Sequence, residues 1–284
     1  MKVAHLVLVK RLGLNQGAYW GQRLNPYEVM SACRTAAERA GWSVETIAPE
    51  PFRRIALVRP SPLPEAPNFY VSAGIHGDEP AGPLAILELL REDQWPMGNY
   101  WIIPCLNPDG FLSNTRENSI GIDLNRDFRH PKSNEVIGQI AWLTQLPRLH
   151  LSLLLHEDWE ANGFYCYELN SGKHPSLAQT MVNAVSPVCP IEHLPEVDGR
   201  PVDSPGIIRP SAEPHARPLW PEAVWLAVHK VDRTYTLEAP SDWPLPVRVN
   251  ALKASVMAAL GAAGQRCPAP SIERQGQLPI ELSP

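Results

Sequence analysis

The chain has 284 residues, of which 44% are hydrophobic and 19% are charged, so it can bury a large core and has a size typical of one α/β domain. Its net charge of -5 and the lack of any basic run argue against a nucleic-acid partner. The apolar stretch at residues 1–9 is too short for a signal peptide, and no apolar run approaches the roughly 18 residues of a membrane span. The 5 cysteines include no C-x-x-C pair, so they do not imply a disulfide framework. We therefore expect a cytoplasmic protein with no membrane partner.

Hydrophobic periodicity and the positions of Gly and Pro predict alternating strands and helices. Strands are predicted at residues 3–9, 43–47, 55–59, 69–75, 100–106, 149–155, 163–169 and 234–237, and helices at 26–40, 81–90, 134–146, 175–185, 221–229 and 247–262. This alternation predicts a single α/β domain with a mixed, mostly parallel twisted sheet flanked by helices. Residues 1–50 are expected to pack on it as an N-terminal extension, and residues 268–284 to form a proline-rich tail.

The strand predicted at residues 69–75 ends directly before His76 and Glu79. A His and a Glu at this spacing after a strand can face one point beyond the sheet edge, where their donor atoms suit a zinc ion. A third candidate ligand, His156, follows the apolar run at residues 151–155. Two His and one Glu, with one position left for water, form a ligand set of hydrolytic zinc enzymes. H-x-x-E alone is a weak motif, and Glu79 also suits the start of a helix after Pro80, an interpretation that is compatible with a ligand role.

More motifs follow further along the chain. N-P-D-G-F at residues 107–111 follows a predicted strand, then come Arg116 and G-I-D-L-N-R-D-F at residues 121–128, and T-L-E-A-P at residues 236–240 ends another predicted strand. In this order and spacing, residues 67–262 resemble the carboxypeptidase A-type family of zinc metallocarboxypeptidases, and in particular its small bacterial members without a pro-domain.

The resemblance implies one zinc ion per chain, bound by His76, Glu79 and His156. It also implies that Arg116 holds the scissile carbonyl oxygen, that Asn125 and Arg126 bind the terminal carboxylate of the substrate, and that Glu238 is the general base. These roles suit the residue types. A carboxylate can transfer the proton of the attacking water, a permanently charged guanidinium can stabilise an oxyanion, and a planar guanidinium can bind a carboxylate through two donors.

Two features depart from the family pattern. Residues 157–159 read Glu-Asp-Trp, which puts extra negative charge beside the third ligand; these acids could be solvated, could orient His156 or could line the substrate pocket. The family tyrosine that closes over the substrate has no counterpart in residues 211–222, where only His215 and Trp220 could replace it. We expect residues 107–110 to form a turn and Asp123 to be a structural capping residue.

The expected function is hydrolysis of the C-terminal peptide bond of a peptide. A cell-wall peptide amidase, an N-acyl amino acid deacylase of the aspartoacylase and succinylglutamate desuccinylase type, and a zinc-binding module without turnover remain alternatives. The substrate is expected to be a peptide or acylated amino acid with a free carboxylate. Five acidic residues in or near the segment 196–222 favour a basic or amino-bearing terminal residue, namely Glu196, Asp198, Asp203, Glu213 and Glu222.

Overall fold

The computed structural model describes residues 11–14, 21–47, 54–170, 174–210, 213 and 216–264. The strand predicted at residues 3–9, the proline-rich tail and His215 lie outside these ranges. None of the helices within them combines the length and the apolar character that crossing a membrane requires.

Most strands of the described chain belong to one mixed sheet. In chain order the strands are β1 Ser43–Thr46, β2 Ile55–Arg59, β3 Asn68–Ala73, β4 Asn99–Ile103, β5 Leu151–Asp158, β6 Tyr165–Asn170, β7 Glu196–Val197, β8 Arg200–Pro201, β9 Ile207–Ile208 and β10 Arg233–Pro240. The sheet has the order β1-β2-β4-β3-β5-β10-β6-β9, and β7 pairs with β8 in a separate small ribbon. Strands β4, β3, β5 and β10 run parallel at its centre, whereas the pairs β1–β2, β2–β4 and β6–β10 are antiparallel. The predicted fold class is confirmed.

Helices cover both faces of the sheet. They are α1 Pro26–Arg39, α2 Ala81–Glu92, α3 Pro108–Ser113, α4 Asn134–Gln145, α5 Ala178–Val185, α6 Glu222–His229 and α7 Leu245–Gly264. One hydrophobic cluster joins α1, α2, α5 and α7 to one face, and a second joins α4 and α6 to the other. The central strands are therefore buried on both sides, which explains why β3 and β5 are almost continuously apolar in sequence.

Two local predictions need correction. Residues 107–110 do not form a simple turn, because Pro108 begins helix α3 and Asn107 caps it by accepting the Gly110 N–H at 2.9 Å. The strand predicted to reach residue 75 ends at Ala73, because Gly74 adopts a left-handed conformation with φ of 67°. A Cβ at Gly74 would also lie 2.9 Å from the ring of Phe111, so this exit from the sheet depends on glycine.

Candidate active site

Three buried side chains, His76, Glu79 and His156, meet at one edge of the sheet, where His156 lies on β5 and the other two follow the end of β3. Strands β3 and β5 are parallel, and Ala73 at the end of β3 pairs in register with Leu155. The residues that follow these two positions therefore emerge side by side at the carboxyl edge of the sheet. Glu79 comes from the short connection between His76 and helix α2, which begins at Ala81.

The donor atoms of the three side chains, called here the triad, converge. Nδ1 of His76 lies 2.6 Å from Oε1 of Glu79, and Nδ1 of His156 lies 3.1 Å from Oε2 of the same carboxylate. One ligand atom from each residue lies within 4.8 Å of the other two. Within the described residues, Oε2 of Glu79 is buried without a hydrogen bond of acceptable geometry. Two imidazole nitrogens and a carboxylate at this separation fit a divalent cation such as zinc.

The charges in the triad depend on one another. Burial raises the pKa of Glu79, but the imidazoles of His76 and His156 outweigh this effect and hold its pKa well below the ordinary range. Burial lowers the pKa of His76, but the Glu79 carboxylate and a contact with Asp123 outweigh it and raise the pKa. A buried carboxylate is thus kept ionised by partners that are themselves typical metal ligands.

Asp123 lies directly behind His76. Its Oδ1 is 3.3 Å from Nε2 of His76 and accepts the Asn125 N–H at 2.9 Å, while its Oδ2 accepts a hydrogen bond from Nε of Arg116 at 2.9 Å. Asp123 thus caps the turn that follows it, as predicted, and its carboxylate also contacts the ring of His76. Carboxylates in this position fix the orientation of ligand imidazoles.

Arg116 brings positive charge to the triad. Its Nη1 lies 3.4 Å from Nδ1 of His76 and 3.9 Å from Oε1 of Glu79. The segment that carries it is held by the buried amide of Asn107, whose Nδ2 donates to the carbonyls of Ile75 and Arg116 at 3.2 and 3.3 Å. The N-P-D-G-F motif thus ties the loop after β3 to the arginine.

Glu238 lies beside the triad, on β10. It pairs in register with His156 on β5 and with Tyr165 on β6. Burial raises the pKa of Glu238 to about 8. The carboxylates of Glu79 and Asp158 also raise this pKa, whereas His156 lowers it. A cation held by the triad would favour the ionised form. The half-buried carboxylate of Glu238 lies next to a predicted metal ligand. Its protonation state is therefore sensitive to charge at the triad.

Asn125 and Arg126 lie on the 3-10 turn Leu124–Arg126 and line the same cleft. The buried Asn125 side chain has a fixed orientation, because its Oδ1 accepts the Glu222 N–H at 2.9 Å. The Nδ2 donor of Asn125 therefore points away from the N–H of Glu222. Arg126 is exposed, and its Nη1 donates to the carbonyl of Asn125 at 2.9 Å.

The two acids after His156 have structural partners. Glu157 forms a fully buried ion pair with Arg248, and its Oε1 accepts the Ala81 N–H at 2.6 Å at the start of α2. Asp158 accepts a hydrogen bond from the hydroxyl of Tyr165 at 2.9 Å. Glu157 therefore anchors the helix that follows Glu79, which accounts for a buried acid at this unusual position.

The cleft has a volume of about 920 Å³ and runs from the triad along one face of β6 and β10. Alternate residues of the two strands form its floor, namely Tyr165, Tyr167, Leu169, Thr234, Thr236 and Glu238. Trp220 is buried and is not among the residues that line it, so Trp220 does not replace the family tyrosine.

The five acids expected to favour a basic residue do not surround the cleft. Asp198 is the only one of the five, in the described part of the chain, that lines it. Glu222 instead lies in the core, where Tyr70, Ser72 and Gln139 donate hydrogen bonds to it. Arg200 and Arg217 do line the cleft, although no sequence motif pointed to them. The five acids therefore no longer support a basic terminal residue in the substrate.

Known proteins match parts of this chain in sequence. A family model described as the succinylglutamate desuccinylase/aspartoacylase catalytic domain matches residues 65–181. Carboxypeptidase SOL1 of Arabidopsis thaliana is 36% identical over 85 residues, which cover 25% of this chain and 17% of that protein. Murein peptide amidase A of Escherichia coli K12 is 31% identical over 118 residues, covering 40% of this chain and 47% of the amidase. The aligned region thus spans less than half of each curated relative.

Solved structures extend the match to most of the fold. A protein from Shewanella amazonensis described as a candidate metallopeptidase has a TM-score of 0.73 at 23% identity, covering 84% of this chain and 93% of that one. Carboxypeptidase A from Helicoverpa armigera has a TM-score of 0.59 at 16% identity, covering 85% of this chain and 75% of that one. The predicted resemblance to metallocarboxypeptidases is confirmed, and the chain has their fold.

Proposed function

We propose that this chain, with its metallocarboxypeptidase fold, is a zinc-dependent carboxypeptidase that binds one zinc ion and releases the C-terminal residue of a peptide. The observation that carries the proposal is the convergence of the triad, with Glu238 beside it and Arg126 in the same cleft. When bound, a zinc ion would polarise the scissile carbonyl and make water more acidic.

Glu238 is proposed to move the protons. As a carboxylate, it accepts a proton from the attacking water and donates that proton to the leaving nitrogen. Its position in the floor of the cleft beside His156 supports this role. General acid and base catalysis of this kind contributes roughly 100- to 10,000-fold in rate.

Arg116 is proposed to stabilise the oxyanion that forms when water attacks the carbonyl. Its Nε is already bonded to Asp123 at 2.9 Å, so the side chain is oriented before substrate arrives. A donor that needs no reorganisation stabilises developing charge most effectively.

Asn125 and Arg126 are proposed to bind the free carboxylate of the substrate. The Asn125 amide is oriented by the peptide N–H of Glu222, and the guanidinium of Arg126 is exposed to an incoming ligand. An arginine can form two parallel hydrogen bonds with a carboxylate, which a neutral amide end cannot match. This pair would select the end of a chain over an internal peptide bond.

The test compares a good peptide with its C-terminal amide on wild type and Arg126→Ala, in a two-by-two cycle. Charge-assisted hydrogen bonds contribute about 1.5–3 kcal/mol, so Arg126→Ala should lower kcat/KM for the acid by roughly 10- to 150-fold and leave the metal in place. The variant should lose most of the preference for the acid, whereas Arg34→Ala, on the exposed face of α1, should keep it. A wild type that cleaves the amide as fast as the acid would exclude the chain-end role.

A second candidate is hydrolysis of an amide in a cell-wall peptide or an acylated amino acid. The matches to murein peptide amidase A and to the desuccinylase/aspartoacylase family model favour it. Parallel assays with a peptide, a murein peptide and an N-acyl amino acid separate these activities. A zinc-binding module without turnover would hydrolyse none of them.

The cytoplasmic location stays a prediction. The described cysteines, Cys33, Cys105, Cys166 and Cys189, are buried free thiols, in agreement with it. Cell fractionation is the measurement that decides it.

A further inference from the structure

Charged residues of both signs line the cleft. Near the triad, Asp123 bonds to Arg116, Glu157 pairs with Arg248, and Asp158 accepts from Tyr165. Arg126, Arg200 and Arg217 also line the cleft, and Asp198 lies beside Arg200. A substrate that places its scissile bond at the triad would therefore meet these three arginines along the cleft.

Arg200 and Arg217 come from two different segments. Arg200 begins the short strand β8, and Arg217 lies in the segment before α6. Both are half-buried at the cleft rather than extended into solvent. Arg126, Arg200 and Arg217 line the same cleft. Burial and the neighbouring guanidiniums of Arg200 and Arg126 lower the pKa of Arg217.

Among the described residues, only Arg200 of these three arginines has a carboxylate within ion-pair distance. Within the residues that the structure describes, no carboxylate forms an ion pair with Arg217 or Arg126. The contact of Arg200 with Asp198 is loose, with 3.7 Å between Nε and Oδ2, and Asp198 also accepts the hydroxyl of Tyr167 at 3.1 Å. Like charges held together in a partly enclosed cleft repel one another, and an anionic ligand removes that repulsion.

We propose that Arg200 and Arg217 form a second anion subsite, which binds an acidic side chain on the residue that the enzyme releases. This inference rests on the proposed function and specifies its substrate: a peptide ending in a residue with two carboxylates. Arg126 and Asn125 take the main-chain carboxylate, and the arginine pair takes the side-chain carboxylate. The assignment replaces the basic terminal residue expected from the sequence.

The test uses two peptides that differ by one charge, ending in glutamate or in the nearly isosteric glutamine. Wild type should favour glutamate by about 10- to 100-fold in kcat/KM, because the guanidiniums form charge-assisted bonds only with the carboxylate. Arg217→Gln and Arg200→Gln should each reduce that ratio at least about 5-fold. Arg217→Lys should keep part of it, because it retains the charge but loses the planar pair of donors.

Arg34→Gln on the exposed face of α1 is the matched control, and it should leave the ratio unchanged. Thermal melting of every variant establishes that it is folded. If wild type cleaves both peptides equally, the subsite is wrong while the carboxypeptidase proposal stands. A clear preference for a lysine-ended peptide would also overturn the subsite.

Binding of free glutamate and free glutamine, measured by calorimetry on the zinc-loaded protein, separates the two proposals. If neither peptide is cleaved, tighter binding of glutamate that Arg217→Gln abolishes would retain the subsite and reject the carboxypeptidase activity. Equal binding of the two amino acids would reject the subsite.

Discussion

Two buried carboxylates, Glu79 and Glu222, have different surroundings, and the contrast between them separates a candidate active site from a structural one. Glu222 accepts hydrogen bonds from Tyr70 and Gln139 on Oε1, at 2.7 Å each, and from Ser72 on Oε2 at 3.0 Å. All its donors are neutral, and both oxygens have partners. This arrangement is complete without a ligand.

Glu79 is buried to a similar degree, but its partners differ. Its two oxygens face the imidazoles of His76 and His156, and in the described chain Oε2 forms no hydrogen bond of acceptable geometry. The cluster also opens onto the cleft, whereas the Glu222 cluster lies within the core. Burial alone therefore does not identify a functional acid. What distinguishes Glu79 is the type of its partners and an oxygen without a hydrogen bond.

Metal analysis should show the largest difference between the triad and the Glu222 cluster. Wild type should carry about one zinc per chain, and His76→Ala should lose most of it because two remaining ligands hold the ion poorly. Glu222→Gln should keep its zinc, because that carboxylate is not one of the three converging ligands. Elemental analysis after dialysis measures both. A full complement of zinc in His76→Ala, or its loss in Glu222→Gln, would contradict the distinction, and chelation should abolish turnover of wild type.

The second prediction concerns a carboxylate that belongs to the cleft but not to the triad. Glu238→Gln should keep zinc and fold while kcat falls at least about 100-fold, since it cannot accept a proton. Glu88→Gln on the surface of α2 is the control and should retain full activity. Steady-state kinetics together with metal content decide the point. An unchanged kcat would exclude Glu238 as the base.

The smallest predicted effect concerns Glu222 and pH. Burial raises the pKa of Glu222 above its ordinary value, despite the hydrogen bonds from Tyr70 and Ser72 that lower it. The folded state then holds this proton more tightly than the unfolded state, so the contribution of Glu222 to stability is complete below an ordinary glutamate pKa of about 4.3 and is lost as pH rises through the folded value.

Glu222→Gln should remove this pH dependence. The free energy of unfolding of wild type, measured by urea denaturation without metal, should fall relative to that of the variant as pH rises from about 4.3. A constant difference between the two proteins across this range would show that Glu222 is ionised in both states.

The element order and the ligand motif could be predicted from sequence because both depend on local patterns. Apolar runs mark β3 and β5, which lie at the centre of the sheet, and H-x-x-E comes directly after the first of them. Since both strands run parallel, the residues after them must share one edge of the sheet. The positions of His76, Glu79 and His156 after apolar runs suggested that they lie together, and the order and spacing of the later motifs supported their assignment as zinc ligands.

Other features depended on contacts between segments far apart in the chain. Glu157 pairs with Arg248, 91 residues away, and Asn125 is oriented by the backbone of Glu222, 97 residues away. No periodicity encodes such a pairing, because it depends on how loops and helices pack once the sheet has formed. For the same reason the acids near residues 196–222 could not be assigned from sequence.

The sequence by itself determined the fold class, the order of the strands along the chain and the residue types at the triad, because these depend on the hydrophobic pattern and on the residues directly after each strand. Only the tertiary structure decided that Glu222 lies in the core, that Asp123 contacts His76, and that Arg200 and Arg217 share the cleft. The physical reason is that charge has no periodic signature: an acidic or basic side chain takes its role from the partners that folding brings to it, and those partners come from distant segments.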